Sequence, residues 1–531
     1  TSTAAKPVAV AMSADGLTVA AGMYLGDTPT RVASGMAHVY TAITYVPPRP
    51  PSPPSPPHTP PPPPIHRTVE GYALLGDQLA IPTRGPAATS NKYVEPWQPR
   101  MSGDGMKAIL LVQHNLVSGW STDLTRLEWV DDKWQLHSTP VDLNPTFLGN
   151  NGFRNHVALS SDGTRFAVGE ESWLHGNVLK GRVRIFSWDA TSLAEHKELH
   201  SIENHGSGSI RFGNNVDLNR DGSVLVVGAE WSGQNGAYSG HVEVWHATDA
   251  SGTDWNQIGE QSNDIRGKYA NEKVGSEIVR ISEDGTRVAV CSPGTANNIG
   301  SARVYEFNGT KWEQMGVDIE NKLVTNEMAL DLSADGHRVA IGAKPSDTSL
   351  PHSVHTYQYD TVTGQWELMG SPVFGAYTGS NKLMSVALND DGGVLVFGQE
   401  GAGSMVRAFA WNDTQWVPLG DTLLGIPPDL PSLGEFKLPQ IAMNADGRKF
   451  LVASTGNAGG TSVGFIRTYG SYAYPPSPPA PPFPPPPPPS LPPAPPPPPL
   501  PPGAPPPPPA PPPLPVFQTR SGYALVDTIA G

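Results

Sequence analysis

Leu332-Ser-Ala-Asp-Gly336-His-Arg-Val339-Ala-Ile-Gly342 reads as a tight turn followed by a strand. Asp-Gly between two apolar-alternating stretches is a hairpin signal, because tight hairpin turns need residues that accept positive φ. The same pattern recurs along the chain as Met12-Ser-Ala-Asp-Gly16, Met101-Ser-Gly-Asp-Gly105, Leu159-Ser-Ser-Asp-Gly163 and Leu218-Asn-Arg-Asp-Gly222. It continues as Ile281-Ser-Glu-Asp-Gly285, Leu388-Asn-Asp-Asp-Gly392 and Met443-Asn-Ala-Asp-Gly447. Most copies lie about 50–63 residues apart, a spacing that signals a propeller or a solenoid.

Each unit repeats the same parts. After the turn comes an apolar strand such as Val224-Leu-Val-Val-Gly228, then a variable loop. A third strand follows, such as Gly240-His-Val-Glu-Val-Trp245 or Ala302-Arg-Val-Tyr-Glu-Phe307. A fourth opens on tryptophan, as in Trp312-Glu-Gln-Met-Gly316 and Trp366-Glu-Leu-Met-Gly370. Four short antiparallel strands per unit make a propeller blade, and the period-2 patterning excludes a helical solenoid.

Two proline tracts, Pro47–Pro64 and Pro475–Pro515, interrupt this series. Proline lacks an N–H and has a fixed φ, so such runs form neither helix nor central strand. They are expected to be polyproline II rods, at ~3.1 Å per residue roughly 55 Å and 125 Å long. Both tracts begin where a third strand has just ended, after Tyr45 and Tyr474. Both are followed by a similar segment, Glu70-Gly-Tyr-Ala-Leu-Leu-Gly-Asp77 and Ser521-Gly-Tyr-Ala-Leu-Val-Asp527. Each segment reads as a displaced fourth strand.

The expected fold is therefore all-β, a seven-bladed propeller of four-stranded antiparallel blades over residues 65–474. The strand near Gly71–Ile81 would complete the last blade and remove an open edge. Residues 1–46 read as the last-blade fragment of a preceding propeller, 47–64 and 475–515 as rods, and 516–531 as the first strand of a following propeller. The alternative is one eight-bladed ring with a proline-rich insertion. The start at Thr1, with no signal-peptide pattern, reads as a processed chain or a window from a longer one.

The 531-residue chain carries a net charge of −14 with no block of Lys or Arg. That argues against nucleic acid or an anionic membrane as the main partner. No apolar run approaches the ~20 residues of a membrane-spanning helix. The single cysteine, Cys291, precludes an internal disulfide and reads as a small buried hydrophobe.

The repeat unit resembles FG-GAP-like propeller repeats of the integrin-α kind, over about four-fifths of the chain. The tracts, with units such as Ser52-Pro-Pro and Ser477-Pro-Pro, look like the hydroxyproline-rich glycoproteins of green algae. Propellers joined by such rods are similar to mastigoneme glycoproteins of algal flagella, with cell-wall and matrix glycoproteins as rivals. This resemblance implies a secreted, extracellular structural glycoprotein whose partners are copies of itself or another polyproline-rich glycoprotein, and covalent glycans.

It also implies hydroxylation and O-glycosylation of prolines. The candidates are Pro53, Pro56, Pro60, Pro61, Pro62 and Pro63 in the short tract. In the long tract they are Pro478, Pro484, Pro485, Pro486, Pro487, Pro488, Pro495, Pro496, Pro497, Pro505, Pro506 and Pro507. The propeller resemblance raises calcium, which takes six to eight oxygens. The nearest match is Asp217, Asn219 and Asp221; no later acidic residue stands in register, so these read as turn residues and no cofactor is expected.

Asn308-Gly-Thr310 and Asn412-Asp-Thr414 are N-glycosylation sequons in the same inter-strand turn. Trp173 and Trp231 lie in variable loops, where they would cap a blade end or contact a sugar or a polyproline rod. The latter use belongs to an alternative function, a carbohydrate- or protein-binding adhesin on a stalk. An enzyme of the glycoside hydrolase kind would need a carboxylate pair in the central funnel. The sequence identifies no such pair, nucleophile elbow or P-loop, so no activity is expected.

Overall fold

The computed structural model describes most of residues 71–472, together with three strands near the N-terminus: β1 (Lys6–Met12), β2 (Thr18–Leu25) and β3 (Ser34–Thr41). The chain separates into two compact units, Thr1–Tyr474 and Pro475–Gly531, and every described residue belongs to the first. Both proline tracts, and the segment after the second, lie outside the described residues. Among the described residues there is no helix.

Seven antiparallel blade sheets follow one another between Tyr93 and Tyr472, with a two-stranded ribbon of Leu174–His175 and Val178–Leu179 in a loop of the second. The fourth is representative, with Val279–Ile281, Arg287–Ser292, Ser301–Phe307 and Trp312–Gln314 in consecutive order. The seventh holds only three consecutive strands, Lys437–Met443, Lys449–Ala458 and Thr461–Tyr472. Its fourth strand is β4 (Gly71–Leu74), from the other end of the ring, with Tyr469 opposite Leu74 and Tyr472 opposite Gly71. The short β5 (Leu79–Ala80) continues along the same partner. The ring thus closes at seven blades rather than eight.

The outer strand breaks after its first few residues in most blades. In the fourth, Trp312–Gln314 pairs with the third strand, the chain kinks at Met315-Gly316, and Ile319–Glu320 pairs again further along. Gly316, Gly370, Gly420 and Gly76 sit at this kink with φ of 68°, 65°, 69° and 68°, which only glycine adopts freely. Gly76 marks β4 as a true fourth strand.

The core is a cycle of seven apolar clusters, each shared by neighbouring blades. One joins Leu110, Leu127 and Trp134 of the first blade to Leu451 and Ile466 of the seventh. Another packs Tyr72 of β4 with Phe450 and Tyr469 against Val396 and Leu419 of the sixth. The tryptophans that open the outer strands belong here: Trp134, Trp255, Trp312 and Trp416 are buried. The Trp366 indole donates to Met315 O of the preceding blade at 2.8 Å. Cys291 is fully buried in the cluster between the fourth and fifth blades.

Candidate functional site

The Asp-Gly turns build the mouth of the central channel. In all seven the aspartate accepts the amide two residues on, as Thr286 N to Asp284 Oδ1 at 2.9 Å. The Ser or Asn two residues before it accepts the amide that opens the second strand, as Arg287 N to Ser282 Oγ at 2.9 Å. The glycine takes φ between 63° and 74° in each of these seven turns. These side chains replace the backbone bonds that a reversing chain loses.

The residue between the Ser/Asn and the Asp points its peptide at the next blade. Gly103 N donates to Ser161 O, Arg220 N to Glu283 O, Glu283 N to Ala334 O and Ala334 N to Asp390 O. Asp390 N then donates to Ala445 O, and Ala445 N to Gly103 O. The remaining junction is made one residue on, by Asp162 N to Arg220 O. The result is an endless belt of backbone hydrogen bonds, one per junction.

A second set of contacts lies outside the belt. Lys107 Nζ reaches Gly163 O at 2.9 Å, Arg287 Nη1 reaches Asp335 O at 2.9 Å and Lys449 Nζ reaches Gly105 O at 3.0 Å. Each cation satisfies a turn carbonyl of the following blade.

Within the belt, three side chains meet across the opening. Arg220 Nε lies 3.3 Å from Glu283 Oε2, and Arg220 Nη2 lies 3.5 Å from Asp390 Oδ2. These residues come from the third, fourth and sixth blades. Burial, then the nearby Asp390 carboxylate, pushes Glu283 up to about 7, while Arg220 opposes the shift. Burial raises Asp390 as well, again against Arg220.

One layer further in, Arg280 Nε pairs with Asp331 Oδ1 at 2.8 Å. Asp331 Oδ2 accepts Leu388 N at 2.8 Å, and Asp217 Oδ2 accepts Ile281 N at 3.1 Å. Both aspartates thus stitch one blade's inner strand to the next. Burial raises Asp217 in spite of Arg280 and Arg100. Burial, with Arg280 alongside, lowers Arg100 to about 10. The channel enclosed by these residues has a volume of about 140 Å³.

The calcium candidates occupy separate roles. Asp217 faces the channel, Asn219 Oδ1 accepts Val224 N at 2.8 Å, and Asp221 accepts Ser223 N at 3.0 Å. Among the described residues no group of three or more His, Cys, Asp or Glu is placed to hold a metal ion.

Asn308 and Asn412 sit exposed on equivalent turns between the third and outer strands of the fourth and sixth blades. Each caps its turn through Oδ1: Asn308 accepts Thr310 N at 2.9 Å, and Asn412 accepts Gln415 N at 2.9 Å. In an antiparallel blade these turns share a face with the Asp-Gly turns. Gly71 and Tyr472, the first and last residues of the seal, lie at that face too.

Trp173 and Trp231 lie in the loops on the opposite face, and both are half-buried. Trp173 packs against His200 with ring centroids 4.7 Å apart, and Arg182 lies 5.3 Å from its ring. Arg211 lies 3.6 Å from the Trp231 ring, and Tyr238 meets it edge-on at 5.7 Å. The structure thus gives each indole a guanidinium neighbour from its own ring. The proline candidates lie outside the described residues.

The Arg220, Glu283 and Asp390 cluster escapes sequence reasoning. Its signal is the variable position of the turn motif, which reads Gly, Ser, Arg, Glu, Ala, Asp and Ala from the first blade to the seventh.

The architecture defines a β-propeller protein. Comparison with known proteins adds likenesses at the level of fold. No family model matches the chain, and no curated protein matches it. Solved structures similar to it include the Cps50 (Swd1) β-propeller domain of Myceliophteria thermophila, 10% identical, with a TM-score of 0.42 over 75% of this chain and 100% of that one. The RRP9 WD40 repeats are 11% identical, with a TM-score of 0.45 over 75% of this chain and 99% of that one. The periplasmic gluconolactonase of Pseudomonas aeruginosa is 14% identical, with a TM-score of 0.40 over 72% of this chain and 97% of that one.

Proposed function

We propose that this chain is a structural extracellular glycoprotein, a building block of a mastigoneme-like flagellar filament or of a cell-wall or matrix assembly. Its propeller serves as a node and its glycosylated polyproline tracts serve as stems or staples. The partners are further copies of the chain or another polyproline-rich glycoprotein, and no catalysis is required of it.

One observation carries this reading. The chain's entry into the ring at Gly71 and its exit at Tyr472 are paired on one face, and both sequons stand on that face. Gly71 follows the short tract by seven residues, and Tyr472 precedes the long one by three. A polyproline rod is already extended, so docking it costs little conformational entropy. Sugars on its prolines would keep such an assembly soluble.

The adhesin reading draws on Trp173 and Trp231. It is weakened by the guanidinium groups beside their rings, which a stacking sugar would have to displace.

Glycopeptide mass spectrometry of the native protein tests the proposal. The expected result is hydroxyproline bearing sugars in both tracts. Bare, unmodified proline throughout would overturn it. Ligand binding by the isolated propeller on a glycan array, without self-assembly, would favour the adhesin.

A further inference from the structure

The junction between the fifth and sixth blades is packed differently from the two before it. In those two, the outer-strand indole donates to the carbonyl just ahead of the preceding blade's kink glycine. Trp312 Nε1 reaches Ile258 O at 3.4 Å, and Trp366 Nε1 reaches Met315 O at 2.8 Å. The matching pair at the next junction is Trp416 and Met369. Trp416 is 8% exposed and, among the described residues, its Nε1 finds no acceptor. A groove of about 500 Å³ opens beside Met369.

The two walls of this groove differ in chemistry. On the fifth blade Gln358 stands opposite Glu367, and Asp360 lies two residues along the same strand, so the three share one face. On the sixth blade the wall is the half-buried Trp411 with Asp413 and Thr414. A Cβ placed on Gly370 would lie 3.0 Å from Thr414 O and 2.9 Å from the Trp411 ring. Asp413 and Thr414 are the second and third residues of the sequon that begins at Asn412. The groove therefore starts beside the residue to which a glycan would be joined.

The two sequons also differ in how their asparagines are engaged. The Asn308 side chain lies within hydrogen-bonding reach of the Glu313 carboxylate. In the sixth blade that place is taken by Val417. Asn412 Oδ1 accepts Thr414 N and Gln415 N, while Nδ2, among the described residues, has no partner. Nδ2 is the atom that carries the sugar in an N-glycan.

We infer that the groove between the fifth and sixth blades seats the first sugars of the glycan on Asn412. A pyranose ring offers a C–H face to the Trp411 indole. Its hydroxyls can donate to Asp360 and Glu367, whose carboxylates only accept, and can exchange bonds in both directions with Gln358. The tether makes binding intramolecular, at an effective concentration in the millimolar range, so a few such contacts hold the sugar. The inference rests on the reading of the chain as an extracellular glycoprotein and adds a groove that its glycan occupies.

The test is glycan release by a peptide N-glycanase from the full chain secreted by a eukaryotic host, followed site by site by mass spectrometry. Release from Asn412 is expected to be at least about tenfold slower in the folded than in the heat-unfolded protein, with a smaller delay at Asn308. Gln358→Ala with Glu367→Ala changes two exposed side chains. It is expected to remove most of the Asn412 delay while leaving Tm and release at Asn308 unchanged.

No delay at Asn412, or a delay that the double variant leaves intact, would overturn the seat. So would an Asn412 without sugar. Each of these leaves the glycoprotein reading standing where glycans occur on the prolines of the native protein, and a native chain bare at both sequons and in both tracts would overturn the two together.

Discussion

The amide of Ala445, in the seventh blade, donates to the carbonyl of Gly103, in the first, at 2.9 Å. That bond joins residues more than three hundred positions apart and makes the belt at the channel mouth endless. The same junction is closed a second time by β4, paired into the seventh sheet.

Tyr72 is the residue on which the seal is expected to depend. Its ring lies edge-on to Phe450 at 4.8 Å, it is 5% exposed, and its hydroxyl donates to Gly447 O. Tyr72→Ala is expected to cost about 3–5 kcal/mol, as truncating a buried aromatic does. Tyr72→Phe should cost about 1 kcal/mol, the lost hydrogen bond alone. Urea denaturation of the three proteins measures both.

Arg303 and Glu272 form an ion pair with side chains 1% and 3% exposed. Arg303→Met leaves a buried carboxylate without its main partner and is expected to destabilise by about 3–5 kcal/mol. Adding Glu272→Met should recover most of that loss, because an apolar replacement of both partners removes the stranded charge. A double-mutant cycle in denaturant reads the difference.

Glu283 gives the fold a pH dependence of definite sign. Its carboxyl is raised from 4.5 to about 7 by burial and Asp390, so the native state holds its proton where the unfolded chain has released it. Stability from this group is fully present at low pH and falls as pH rises from about 4.5 through 7. Glu283→Gln should flatten that part of a Tm-against-pH curve. A wild-type curve that instead rises across this window would contradict the assignment.

Asn308 and Asn412 are expected to carry N-glycans in a secreting eukaryotic host. Thr310→Ala and Thr414→Ala should each remove one glycan by intact-mass measurement. Thr310→Ala should leave stability nearly unchanged, because Thr310 meets Asn308 through its backbone amide. Thr414→Ala also loses a 2.9 Å hydroxyl contact to Asn412 and should cost up to about 1 kcal/mol.

The blades were legible because their cause is local. Asp-Gly at each turn, period-2 alternation and the Trp-x-x-x-Gly ending are written within about 50 residues, and the seal is a recognisable fragment of the same unit. The channel cluster was not legible. Arg220, Glu283 and Asp390 occupy a position with no strand pattern, and they meet only because the ring closes. The buried pairs Arg303–Glu272, His114–Asp123 and His241–Glu243 were hidden for a similar reason. Arg303 and Glu243 stand at the polar phase of Ala302-Arg-Val-Tyr305 and His241-Val-Glu-Val244, and only the fold buries them and supplies their partners.

Gly71 and Tyr472 face each other across one antiparallel pair, about 5 Å apart at their Cα atoms. Seven blades and some four hundred residues therefore add almost nothing to the distance the main chain travels between entering and leaving the ring. Under tension the ring would hang beside the line of force like a bead tied on a thread. The pull would reach the pairing of Gly71 with Tyr472 first, opening the seal from its end one hydrogen bond at a time. A load that reaches the seal first gives the molecule a built-in fuse, with slack of several hundred residues behind it.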